Sequence, residues 1–195
     1  MTVGANVGSV RVEHKILVLT GRIASGKSTL ATGLAERVGA EIVSSRGLLK
    51  VEARHRGVAL LKRRELQKFG TALDLSTDGE WLPLALESLL GRLPRDRVVV
   101  VDSVRMAVQL RAFKDKFDGQ VVHVHLTAND ADREARFLAR RAERDRGSTF
   151  EDVSMDVTES RVEAIGESAD LVLDTSASTI DEALRQTVAL LSQPA

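Results

Sequence analysis

Residues 16–20, Ile-Leu-Val-Leu-Thr, form an unbroken apolar run that stops at a glycine. Gly21-Arg-Ile-Ala-Ser-Gly26-Lys27-Ser28 follows, and then Leu30, Leu34 and Val38 recur at i, i+4 and i+8. No other stretch restricts the fold as much. A buried strand must pass through a tight glycine-containing loop directly into a helix, and Gly39 is placed to end that helix. The loop matches G-x-x-x-x-G-K-[ST]. Its chemistry follows from its residues. Glycines let the backbone curl until its N–H groups converge on phosphate oxygens. The helix adds its positive N-terminal end. Lys27 supplies a point cation for β- and γ-phosphates, and the Ser28 hydroxyl a ligand for Mg²⁺. Gly21, Ala24, Ser25, Gly26, Lys27, Ser28 and Thr29 are therefore the expected nucleotide-binding residues.

The rest of the chain alternates in the same manner. Short apolar runs at 41–43, 97–102 (Arg-Val-Val-Val-Val-Asp), 120–126 and 170–174 read as further strands. Helical patterns fall over most of 46–92, then 104–117, 129–144, 150–165 and 179–192. Residues 1–14 read as a loose arm before a domain over 15–195. Buried strands alternating with helices predict a parallel sheet covered on both faces, doubly wound by right-handed crossovers. Ligands of such sheets sit at the carboxyl ends of the strands. Asp102 closes the third strand there and, beside such a loop, is read as holding Mg²⁺ through water; a helix cap, which Asp102 or Ser103 could supply, is the alternative.

Composition narrows the classes. Lys plus Arg and Asp plus Glu both number 28, so the formal net charge is zero and no global field draws nucleic acid or membrane. Aromatic residues are 3% of the chain, too few for a single-strand stacking surface. Cysteine is absent, which removes disulfides and thiolate catalysis. The first fifteen residues lack the apolar core of a signal peptide, and no apolar run is long enough to span a membrane. A cytoplasmic enzyme or switch is expected, monomeric or homodimeric, with a small-molecule nucleotide acceptor as partner.

With these motifs the sequence resembles the nucleoside monophosphate kinases and their P-loop small-molecule kinase relatives, such as adenylate and dephospho-CoA kinases. The resemblance spans about 15–190. It implies a three-layer α/β/α P-loop NTPase fold with five parallel strands in order 2-3-1-4-5, an acceptor-binding segment at about 44–92 and a short lid at about 136–149. It also implies ATP and Mg²⁺. In Val-Ser-Ser-Arg-Gly-Leu-Leu-Lys at 43–50, Ser45 and Lys50 stand where the family holds the acceptor phosphate. The family has arginine where Lys50 stands; a lysine lacks the bidentate fork, and Arg46 or Arg54 offers a substitute. In Asp-Ser-Val-Arg-Met-Ala-Val-Gln at 102–109, Arg105 and Gln109 are four apart, the spacing of one helix face. This is similar to the pair in which the arginine grips acceptor phosphate and the glutamine reads the base. Arg136 and Arg140, followed by Arg141, Arg144 and Arg146, resemble lid arginines that close over ATP. The resemblance thus makes Lys27, Asp102, Arg105, Arg136 and Arg140 the catalytic set. It also puts backbone groups of Thr175 to Ala177 beneath the adenine.

Ordinary surface helices laced with Glu/Arg pairs remain an alternative for the arginines. His123 and His125 share one face of the fourth strand, and strand packing suits them better than a metal site that lacks a third ligand. Trp81 and Phe69 read as core, and Arg63 or Arg64 as further phosphate contacts. The expected activity is transfer of the γ-phosphoryl of ATP to a nucleoside or deoxynucleoside monophosphate. A small-molecule hydroxyl kinase, in which Asp102 would be the base, and a nucleotide-dependent ATPase switch are the alternatives. A guanine-reading N/T-K-x-D segment is absent.

Overall fold

A computed structural model describes residues 14–59, 63–94, 96–140, 149–154 and 157–193. The expected arm at 1–14 and the lid arginines Arg141, Arg144 and Arg146 fall almost wholly outside the described residues, as do the side chains of Arg63 and Arg64. Five strands, β1 (Lys15–Thr20), β2 (Glu41–Ser44), β3 (Val98–Asp102), β4 (Val121–Thr127) and β5 (Leu171–Asp174), pair in parallel in the order β2-β3-β1-β4-β5.

The alternation of side chains along each strand makes two cores from one sheet. Ile16 and Val18 of β1 and Val99 and Val101 of β3 face one way. There they meet α2 (Ser45–His55), α3 (Arg63–Thr77), α4 (Trp81–Leu90) and α5 (Ala107–Lys116) through Leu48, Leu73, Leu82 and Phe113. Leu17, Leu19 and Val100 face the other way, against Leu30 and Leu34 of α1 (Lys27–Val38) and Leu184 of α9 (Ile180–Leu191). Both faces are dry, which explains why the strands read as continuous apolar runs. After β4 come α6 (Asp130–Arg140), α7 (Phe150–Ser154), α8 (Val157–Ile165) and a short 3-10 turn at Gly166–Ser168. No helix among the described residues is long and apolar enough to cross a membrane.

Register decides where the site lies. Leu19 is paired with Asp102, Asp102 with Ser44, Thr20 with His125, and Thr127 with Asp174. The carboxyl ends of all five strands therefore finish in one row. The helix expected from 104 begins only at Ala107; residues 103–106 are a loop in which the N–H of Val104 donates to the Leu19 carbonyl at 3.1 Å. That bond keeps the chain in step with β1 for longer than the sequence pattern suggests, and delays the helix.

Candidate functional site

The loop after β1 is built around one position where only glycine fits. Gly21 has φ +130°, and a Cβ there would run into the Leu126 carbonyl oxygen and lie 2.8 Å from Ser25 Oγ. The chain turns so tightly that Ser25 N donates to the Arg22 carbonyl at 3.2 Å. Gly26 caps α1 with no side-chain hydrogen bond, so the first N–H groups of the helix open toward the loop. Lys27 is buried, and its Nζ sits inside the curl, donating to the carbonyls of Gly21 (2.6 Å) and Arg22 (2.7 Å). Ser28 Oγ donates to Asp102 Oδ2 at 2.9 Å. The structure thus joins the two expected metal ligands, 74 residues apart in sequence, at the mouth of the loop.

From Ser28 and Thr29 a cleft of about 730 Å³ runs along α1 to Arg37, with Ile180, Asp181 and Leu184 of α9 forming its other wall. The loop after β5 is tied to the loop after β1. Thr175 Oγ1 lies 3.1 Å from both the Ser25 and the Thr127 carbonyls. Arg136 of α6 grips Thr175 with both ends of its guanidinium, Oγ1 and the carbonyl each at 2.8 Å. Arg136 therefore braces the β5–α9 loop in this conformation. Ala177 is exposed in the same turn. Arg140, the last residue of α6, is exposed and lies 5.9 Å from the Phe137 ring.

The residues expected to bind the acceptor are arranged differently from the expectation. Arg105 precedes α5 instead of sharing a helix face with Gln109. Gln109 is buried; its Oε1 accepts from the Arg105 N–H (3.1 Å) and its Nε2 donates to Asp74 Oδ1 (2.8 Å). Both ends of the amide are thus tied within the fold, one to the backbone at residue 105 and one to α3. Ser45 is likewise occupied, donating to the Ser103 carbonyl (2.6 Å) and accepting from its N–H (3.1 Å). Arg46, Lys50 and Arg54 follow one another along one face of α2, Arg46 half-buried and the other two exposed.

Three supporting residues were not singled out in the sequence. Arg133, 1% exposed, reaches the β1–α1 loop by donating to the Ile23 carbonyl (3.1 Å), with Asp130 at 2.7 Å and the Phe150 ring at 5.3 Å. Arg22 bonds the Ser154 carbonyl (3.2 Å) and lies 3.7 Å from Glu163. Asp74 is the buried carboxylate beneath Gln109. Arg133 shares the helical repeat of Arg136 and Arg140, so spacing marks the arginine face but not which member turns inward.

The histidine pair packs directly behind the loop. Thr20 Oγ1 is 2.7 Å from both His123 Nε2 and His125 Nδ1. His123 Nδ1 faces the Ser168 carbonyl at 3.4 Å and so carries a proton. Its Nε2 then accepts from the Thr20 hydroxyl, which in turn accepts from His125 Nδ1–H. Burial pushes the His123 pKa down from 6.5 to about 4, and burial together with the Lys27 charge lowers that of His125. The unfolded chain therefore takes up the His123 proton first. Its stabilising contribution is complete above pH 6.5 and is lost as pH falls toward about 4. Denaturant unfolding should show about 2–3 kcal/mol lost through His123 between about pH 7.5 and about pH 4.5. His123→Gln should flatten the profile by that amount; an unchanged profile would refute the assignment. Asp74, whose carboxyl burial holds above its ordinary range, acts in the opposite sense at acid pH.

No protein-family model matches the sequence, and no curated protein matches it. Solved structures do match. A sugar kinase from Janibacter sp. superposes with a TM-score of 0.56 at 17% identity, covering 92% of this chain and 94% of that one. A gluconokinase from Sinorhizobium meliloti gives 0.53 at 19%, covering 93% of each. A shikimate kinase from Bacteroides thetaiotaomicron gives 0.59 at 14%, covering 91% and 98%. At these identities the likeness is one of fold. The chain shares the fold of these structures, a five-stranded parallel sheet in the order β2-β3-β1-β4-β5 with helices on both faces.

Proposed function

We propose that this protein is an ATP- and Mg²⁺-dependent phosphotransferase acting on a small acceptor that carries an anionic group. The observation that carries the reading is the Ser28–Asp102 contact of 2.9 Å at the mouth of the loop, beside Lys27 and the uncapped start of α1. A hydroxyl and a carboxylate at that distance fit a hydrated Mg²⁺, and the curl of Gly21–Gly26 fits phosphate oxygens. Bound Mg·ATP supplies the activated γ-phosphoryl group.

The chain's own residues hold and neutralise. Lys27 exchanges its backbone carbonyls for phosphate oxygens and offsets charge that builds up in transfer. Thr175, braced by Arg136, shapes the floor for the nucleotide base. Arg46, Lys50, Arg54 and Arg105 supply the positive charge for the acceptor's anionic group.

A hydroxyl acceptor of the sugar-acid kind is the preferred reading. The names of the fold's neighbours support it, and so does the engagement of the Gln109 amide with Asp74 and Arg105. Asp102, at the end of β3, is then the group to take the hydroxyl proton. A nucleoside monophosphate acceptor is the second reading, favoured by the row of cations on α2; it needs no base because a phosphate nucleophile is already ionised. Initial rates of ADP release from Mg·ATP with gluconate, shikimate and the common nucleoside monophosphates separate the two. The expected result is stimulation by a hydroxy acid. Stimulation by a monophosphate alone would select the second reading, and an acceptor-independent rate would leave an ATPase.

A further inference from the structure

The α3–α4 hairpin meets the β3–α5 loop at a buried carboxylate that the phosphate loop does not use. Asp74 of α3 is 6% exposed. Its Oδ1 accepts from Trp81 Nε1 of α4 at 2.6 Å and from Gln109 Nε2 of α5 at 2.8 Å. This orients the amide of Gln109. With Nε2 on a carboxylate, Oε1 faces the other way and accepts from the N–H of Arg105. The backbone follows the same seam. A Cβ on Gly79, in the turn between α3 and α4, would lie 2.7 Å from Gln109 N and from the carbonyl carbon of Val108. Arg111 pairs with Asp78 at 2.6 Å on the outer side.

Packing alone does not call for this arrangement. Leu66, Leu73, Leu82 and Leu86 fill the same layer without polar atoms. A buried carboxylate carries a desolvation cost that a leucine does not. What it adds is direction: two donors converge on one oxygen, and one of them sets the backbone at residue 105.

We infer that Asp74 is a positioning residue for the acceptor site: through Gln109 it fixes the backbone of Arg105 and ties the α3–α4 hairpin to the cation that grips the acceptor. The role of Arg105 rests on the phosphotransferase reading above; the mechanical link from Asp74 to its amide does not. Asp74→Asn keeps an oxygen for both donors, whereas Asp74→Ala strands them.

The test compares both variants with wild type in the full chain, reading amide hydrogen exchange and kinetics with the acceptor found in the panel. In Asp74→Ala, exchange at the Arg105 amide should rise about tenfold while Val99, Val100 and Val101 keep their protection. The acceptor KM should rise about tenfold with the KM for ATP unchanged. Asp74→Asn should restore both. Gln109→Met keeps the side-chain volume and carries the same comparison if Asp74→Ala does not fold. Unchanged Arg105 exchange, or a uniform rise across the chain, would reduce Asp74 to a packing residue and overturn the inference. Absence of turnover with every acceptor would instead sink the phosphotransferase reading, with the exchange comparison still deciding the link.

Discussion

Lys27→Met should lower kcat/KM for phosphoryl transfer by about 10²–10³-fold, the loss that follows removal of one preorganised charge from a transition state. Methionine has nearly the reach and volume of lysine, so the effect isolates the charge. Lys27 is not the loop's sole support. Gly21 sets the turn, Thr175 holds the Ser25 carbonyl, and Arg133 holds that of Ile23. The carbonyls of Gly21 and Arg22 lose a donor, at a cost of roughly 1–3 kcal/mol where they are left without water. The melting temperature should therefore change modestly while turnover collapses. Initial rates beside a melting curve check this. A variant that melts normally and turns over at the wild-type rate would remove Lys27 from the catalytic set.

Gly21→Ala should damage the fold and the site together. The new methyl group would occupy the space of the Leu126 carbonyl oxygen, and the backbone sits at φ +130°, where a side chain is strained. Neither partner can yield cheaply. Leu126 belongs to β4, paired on both sides, and Thr20 next to Gly21 carries the contacts to His123 and His125. Strain and overpacking together should cost roughly 2–4 kcal/mol, equivalent to about 5–15 °C in Tm for a chain of this size. Nucleotide binding should weaken further, since relief of the clash opens the curl that presents the N–H groups. Isothermal titration with an ATP analogue and a thermal melt read the two effects. Full stability with full affinity would show that the loop relaxes in a way its packing does not suggest.

The strand–loop–helix unit over Lys15–Val38 was legible in the sequence, because one chain segment contains everything it needs. Strand, Gly21–Ser28 and helix form a local unit whose glycine positions, cation and hydroxyl have fixed spacing. The strand order expected from the family resemblance is the order observed. Asp102 was legible by its place at the end of an apolar run, and the register of β3 on β1 brings it to Ser28. The segment expected to bind the acceptor differs from the sequence reading where that reading depended on helix phase. The spacing of Arg105 and Gln109 suggests one helix face, yet the Val104–Leu19 bond holds residues 103–106 out of the helix. Gln109 then turns back on the Arg105 amide. Asp74 gave no sign of this, since a lone acidic residue on an amphipathic helix ordinarily faces water.

By itself the sequence determined a doubly wound parallel sheet, a tight glycine loop between its first strand and first helix, and an acidic residue at the end of its third strand. Those features follow from local spacing and from the burial of alternating apolar runs, which any compact arrangement of this chain must satisfy. Only the tertiary structure decided which polar side chains serve the loop and which serve the frame. Arg133 went inward to Ile23, Arg136 to Thr175, Gln109 to Asp74, and Thr20 to the two histidines. The reason is physical. A buried polar atom must find a partner, and the partners lie 35 to 110 residues away in sequence, so the choice is made only when the layers close on one another.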